Sequence, residues 1–253
     1  MLNQFIWWGG IVLEVLLLIR GIRGKLAFQY PVFYAYISFV LLQSLLRLAT
    51  YHWNSPAYSY VYWVTEFLGV AIGCAVVFEI YRVGLSAYPG TARVARNLLF
   101  FVFVMAIAKT FVDVSNDPRW RPAATTMDLE RILRIEQAFA IVALIALFLV
   151  YSIPFGRNLR GILLGYGMFI AMSVIWLTFG ASSGDTFRHY WSYVQPPSYF
   201  MTLGVWVAHL WSYRASPEPK TTVLLEQQYQ RVAAATTRRL QDARGYLGRA
   251  VRP

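Results

Sequence analysis

Six ionisable side chains sit inside or beside long apolar runs: Arg47, Glu66, Lys109, Asp113, Arg134 and Glu136. A charge in hydrocarbon is tolerated only where it is paired, faces a bundle interior or lines a watered cavity, so each of these residues marks a candidate site. The stretch YVYWVTEFLGVAIG at 60–73 shows the conflict best, with Glu66 set among Trp63, Phe67 and Leu68. Arg47 is the first expected partner of Glu66, because only a short connection separates their two apolar runs; Lys109 and Arg134 are the other cations at comparable depth. Together Arg47, Glu66, Lys109 and Arg134 would orient an acidic or zwitterionic group on a ligand. Gln43, one helical turn before Arg47, adds an amide donor and acceptor, and Tyr62 and Trp63 would wall the site. The competing reading is an interhelical clamp that fixes packing and holds no ligand.

A second polar set comprises Glu14, Glu79 and His209. Glu79 is expected to pair with Arg82, three residues on. Glu14 and His209 would form a carboxylate–imidazole couple able to carry protons. Other chemistry is not indicated. His52, His189 and His209 are isolated, and one cysteine, Cys74, excludes both an internal disulfide and a thiolate cluster, so no metal is expected. The stretch GASSGD lacks the strained Ser turn of hydrolases, and neither a phosphate-binding loop nor a dinucleotide fingerprint occurs. No cofactor and no catalytic residue are therefore assigned.

The elements that must position these residues follow from composition. Of 253 residues, 58% are hydrophobic, 17% aromatic and only 14% charged, which is too apolar for an ordinary soluble domain. A bilayer core takes about 20 apolar residues per helix. Seven segments fit, at 4–19, 30–51, 58–82, 97–113, 127–152, 160–180 and 197–213, separated by Gly-, Pro-, Asn- and Ser-rich connections. The predicted fold is thus all-α, an integral membrane bundle of seven transmembrane helices in one domain, 1–215.

Lysine and arginine set the orientation. The first, third and fifth connections carry Arg20, Arg23 and Lys25, then Arg82, Arg93 and Arg96, then Arg157 and Arg160; the second carries none, the fourth Arg119 and Arg121, the sixth Arg188. Odd connections should face the cytoplasm, placing the N-terminus outside, the C-terminus inside and the chain in the inner membrane. The charged set around Arg47 and Glu66 then lies in an outer layer, and Glu14 lies deeper. The small-residue patterns GVAIG at 69–73 and GILLG at 161–165 suggest close packing of the third and sixth spans on each other.

Residues 216–253 form a linker and a basic amphipathic helix, with Leu225, Tyr229, Val232, Leu240 and Leu247 along one face and eight basic residues from Arg214 onward. Anionic lipid headgroups are its expected partner, and a cytoplasmic or membrane protein the rival one; the net charge of +11 is concentrated beside spans and in this tail, which argues against nucleic acid.

The seven-span, N-outside layout is similar to that of microbial rhodopsins and bacterial seven-helix sensory modules. The seventh span, YFMTLGVWVAHLWSY, has no lysine for retinal, and the roughly forty residues after it are too few for a fused reporter domain. YPVFYAYISFVLLQSLLRL followed by YWVTEFLGVAIGCAVVFEIYR resembles uncharacterised bacterial seven-transmembrane-helix proteins, which implies the fold and no activity. The functional expectation is a sensor-like or accessory membrane binding module. A small transporter or channel using intramembrane carboxylates, and a structural subunit of a membrane complex, are the alternatives.

Overall fold

A computed structural model describes residues 2–52, 57–86, 88–116, 122–150, 156–179 and 184–214, together with 231–232, 234–236 and 238. The described residues form helices and no strands. The order is α1 (Leu2–Arg23), α2 (Leu26–Gln29), α3 (Pro31–His52), α4 (Ala57–Gly84), α5 (Pro89–Asn116), α6 (Pro122–Val150), α7 (Arg157–Phe179) and α8 (Gly184–Leu210). Among the described residues, four stretches, Pro31–Thr50, Tyr60–Gly84, Leu129–Leu149 and Arg157–Phe179, are long and apolar enough to cross a membrane. The protein is therefore a helical, multi-pass membrane-type chain. α1, α5 and α8 are of similar length but carry more polar residues, Glu14 and Arg20, Arg93 and Lys109, and Asp185 and Arg188 among them.

Six long helices close into a ring, α1–α3–α4–α6–α7–α8 and back to α1, while α5 packs outside it against α4 and α6. Leu17, Phe33, Ile37, Tyr166, Leu203 and Trp206 are at most 1% exposed and fill the middle of the ring. Leu42, Leu45 and Leu46 of α3 and Val12, Ile19 and Ile22 of α1 are exposed, a distribution suited to apolar solvent rather than water.

One end of the ring is basic, with Arg20, Lys25, Arg82, Arg157 and Arg214 near it, and it is fastened by polar side chains that satisfy helix termini. Glu79 of α4 accepts the backbone N–H groups of Val32 and Phe33, at 3.0 and 2.8 Å, at the start of α3. A carboxylate there both satisfies free N–H groups and meets the positive end of the helix dipole. Arg82 also approaches Glu79, at 3.5 Å, but is 58% exposed; capping α3 is the larger role, and it is one that the i,i+3 spacing did not suggest. At the end of α8, Asn158 donates to the carbonyls of His209 and Ser212 and accepts from Arg214 N–H, Arg157 donates to Ala208 O, and Arg20 donates to Trp211 O while lying 4.4 Å over its ring. Side chains of α1 and α7 thereby terminate α8.

Three sequence expectations change. The connection read at 83–96 shrinks, because α5 starts at Pro89, a residue whose missing N–H costs nothing in a first helical turn. The segment read as the loop before the seventh span is helical from Gly184, and Pro196–Pro197 lie within α8. A membrane-type helix accepts such prolines because neighbours take up the freed groups; Ser198 Oγ donates to Gln195 O at 2.7 Å beside them. Finally, Gly161 and Gly165 face α8 rather than α4: a Cβ on them would strike His209 and Trp206, and of the two glycines of GVAIG it is Gly73 that meets α7, at Tyr166. The amphipathic helix expected over 216–253 lies outside the described residues apart from 231–232, 234–236 and 238, which are helical.

Candidate functional site

At the end of the ring opposite the basic one, all six ring helices turn polar or aromatic side chains inward. Arg47 of α3 and Glu66 of α4 meet at 2.7 Å, Nη2 to Oε2, with side chains 23% and 20% exposed. The short α3–α4 connection places them on facing turns. Glu66 Oε2 also accepts from Gln43 Nε2 at 3.4 Å, and the Arg47 guanidinium lies 4.2 Å over the Tyr62 ring and donates to Thr65 Oγ1 at 3.3 Å. Tyr62 and Trp63 stand edge to face at 5.2 Å. Glu66 is thus paired with a counter-charge on the neighbouring helix.

α6 contributes the second cation. Glu130, Arg134 and Gln137 recur at helical spacing on its inner face. Arg134 is 3% exposed; its Nε lies 3.6 Å from Glu130 Oε1 and its guanidinium 4.8 Å over the Phe169 ring. Glu130 interacts with Glu66 as well as with Arg134. Nε and Nη1 of Arg134 are buried and find no hydrogen-bond acceptor among the described residues. Trp191 Nε1 of α8, whose side chain is also buried, is in the same condition. Gln137 turns away, donating to Cys74 Sγ at 3.0 Å, so Cys74 is a polar contact as well as a core filler.

These groups line a recess of about 190 Å³ bounded by Arg47, Tyr62, Trp63, Glu66, Glu130, Arg134, Phe169, Trp191 and Tyr199. A second space of about 440 Å³ adjoins it, sharing Arg47, Glu66 and Arg134, and is lined further by Gln43, Tyr36, Trp7 and Tyr58. Trp176, Phe187 and Trp191 stack with ring planes within 19° of one another, forming an aromatic wall.

Of the residues named from sequence, the structure brings together Gln43, Arg47, Tyr62, Trp63, Glu66 and Arg134 and leaves out Lys109. Lys109 is exposed on α5, the helix outside the ring, and lines neither space. Glu136 likewise lines neither, and the Asp113 side chain lies outside the described residues. The Glu14–His209 couple does not form. Glu14 Oε1 accepts from Tyr199 OH at 2.8 Å, and His209 Nδ1 meets Val205 O; ten residues separate Tyr199 from His209, about 15 Å along a helix.

Sequence reasoning passed over Glu130, Phe169, Trp191 and Tyr199. Glu130 was legible, being one turn before Arg134 on the same face. Trp191 was hidden by reading 181–196 as a loop, and Tyr199, inside the expected seventh span, was not set apart from its apolar neighbours.

No family model matches the chain, and no curated protein or solved structure matches it significantly.

Proposed function

We propose that the protein is a seven-span inner-membrane binding module, N-terminus outside and C-terminus cytoplasmic, that takes a small anionic or zwitterionic ligand in the recess between Arg47 and Arg134, and that its tail relays occupancy at an anionic lipid surface or to a protein partner. The observation that carries the reading is that two buried donor side chains border this recess, Arg134, whose Nε has only the long 3.6 Å approach of Glu130, and Trp191, and that Arg134 Nε and Nη1 and Trp191 Nε1 have no hydrogen-bond partner among the described residues. A buried donor left unsatisfied costs about 1–3 kcal/mol, and more when charged. An oxyanion seated between them would remove that cost, and a bidentate oxyanion fits guanidinium geometry best.

Two carboxylates face two guanidinium groups here, so an incoming anion would compete with Glu66 for Arg47 and with Glu130 for Arg134. Seven long helices in the expected order and the grouping of basic residues at one end support the topology. The packed middle, Leu17, Phe33, Leu203 and Trp206, favours a closed-bottomed recess over an ion path through the bundle.

The test is calorimetric titration of the protein in lipid nanodiscs with acetate, inorganic phosphate, methyl phosphate, glutamate and, as a cationic control, choline. Binding of at least one anion, weakened tenfold or more by Arg134→Gln, is expected, since a charge-assisted hydrogen bond contributes about 1.5–3 kcal/mol. Anion binding unaffected by that change, or none at all, would refute the proposal.

A further inference from the structure

An apolar groove lies beside the charged recess. Behind Tyr199 lies a space of about 330 Å³ lined by Ile6, Trp7, Gly10, Ile11 and Glu14 of α1, Ser44 of α3, and Pro196, Tyr199 and Phe200 of α8. Trp7, Ser44 and Tyr199 border both this groove and the second polar space, and Arg47, Glu66 and Arg134 border that space and the first recess. These shared walls set a route of adjoining spaces from Arg134 and Trp191, past Tyr199, to the flank of the bundle. Gly10 keeps the groove open: a Cβ there would have only Leu203, at 3.9 Å, as its near neighbour.

The groove emerges between helices whose exposed residues are apolar, Trp8 and Val12 on α1 and Leu45 on α3. On the membrane reading this flank faces acyl chains. Among the described residues that line the groove, the one ionisable side chain is Glu14, 1% exposed, with Oε1 held by Tyr199 and Oε2 lacking a donor among the described residues. The groove lining includes no lysine or arginine to hold an anionic head, which leaves its apolar walls for a tail. The two ends of the route thus select opposite ends of one amphiphile.

Resting on the anion site proposed above, we infer that the ligand is a single-chain anionic amphiphile drawn from the membrane, its phosphate or carboxylate held by Arg134, Trp191 and Arg47, its alkyl chain leaving past Tyr199 along the α1–α3–α8 groove. Burying a chain segment is worth about fourfold in affinity per methylene against water. Against a bilayer, which takes up the chain equally well, little of that gain remains. The head must therefore supply selectivity.

The experiment uses the full chain in nanodiscs and a twelve-carbon alkyl phosphate with a diazirine near the chain end. After irradiation, labelled peptides should concentrate in Ile6–Glu14 and Pro196–Phe200. Excess dodecyl phosphate should suppress the label and excess dodecanol should not; Arg134→Gln should reduce it at least tenfold. Gly10→Leu should abolish the groove label while methyl phosphate still binds. Label spread over all lipid-facing helices, or insensitive to Arg134→Gln, overturns the inference. If methyl phosphate binds wild type but the long-chain probe does not label the groove, the amphiphile is wrong and the anion site stands. If neither binds, both fall.

Discussion

Replacing Glu79 with alanine removes the two acceptors for the first backbone N–H groups of α3, at 3.0 and 2.8 Å, in a place where Phe33 is fully buried and Glu79 is 3% exposed. Water cannot take over, so each donor carries a desolvation cost of about 1–3 kcal/mol. The lost Arg82 contact adds little, since Arg82 is 58% exposed and exposed pairs contribute at most about 1 kcal/mol. The expected loss is about 2–5 kcal/mol for Glu79→Ala, roughly half as much for Glu79→Gln, which keeps one acceptor oxygen, and under about 1 kcal/mol for Arg82→Ala. Reversible unfolding by steric trapping in bicelles measures all three. Equal losses for Glu79→Ala and Arg82→Ala would mean that the ion pair, and not the cap, matters; a loss below about 1 kcal/mol for Glu79→Ala would refute the argument.

Two further outcomes follow from the packing and the charges. Gly165→Ala should lower stability by about 1–3 kcal/mol, because the added methyl would overlap the fully buried Trp206 indole, whereas Gly204→Ala, which meets nothing within 4 Å, should be neutral or slightly stabilising; the same unfolding assay checks both, and equal effects would contradict the α7–α8 packing. Glu66→Gln should strengthen methyl phosphate binding severalfold in calorimetric titration, since Arg47 loses the carboxylate that competes with the ligand. A weakened affinity would show that Glu66 supports the anion rather than competing with it.

Helix existence was legible because long apolar runs leave few alternatives: each of the seven segments overlaps one long helix, and four of these helices contain a stretch long and apolar enough to cross a membrane. Helix ends were less so. The stretch around Pro89 and that around Pro196–Pro197 both read as breaks, since proline signals a boundary in water. Its meaning changes at a first turn and between packed membrane-type helices. Arg47–Glu66 could be read from connection length, which is local. The absence of Lys109 from the site could not, because it depends on α5 lying outside the ring, a fact of tertiary arrangement that depth alone does not encode. The same holds for Glu14, whose partner Tyr199 is 185 residues away and whose nearest sequence-level candidate, His209, sits on the same helix at another height. Glu79 shows a third limit: its main contacts are backbone N–H groups, which no side-chain pattern announces.

The most direct measurement is the affinity for methyl phosphate of wild type, Arg134→Gln and Lys109→Gln side by side in nanodiscs. Both variants remove one positive charge, but only Arg134 lines the recess. A loss of tenfold or more for Arg134→Gln with less than about twofold for Lys109→Gln is the predicted result; equal losses would show that the anion responds to surface charge alone and would contradict a built site.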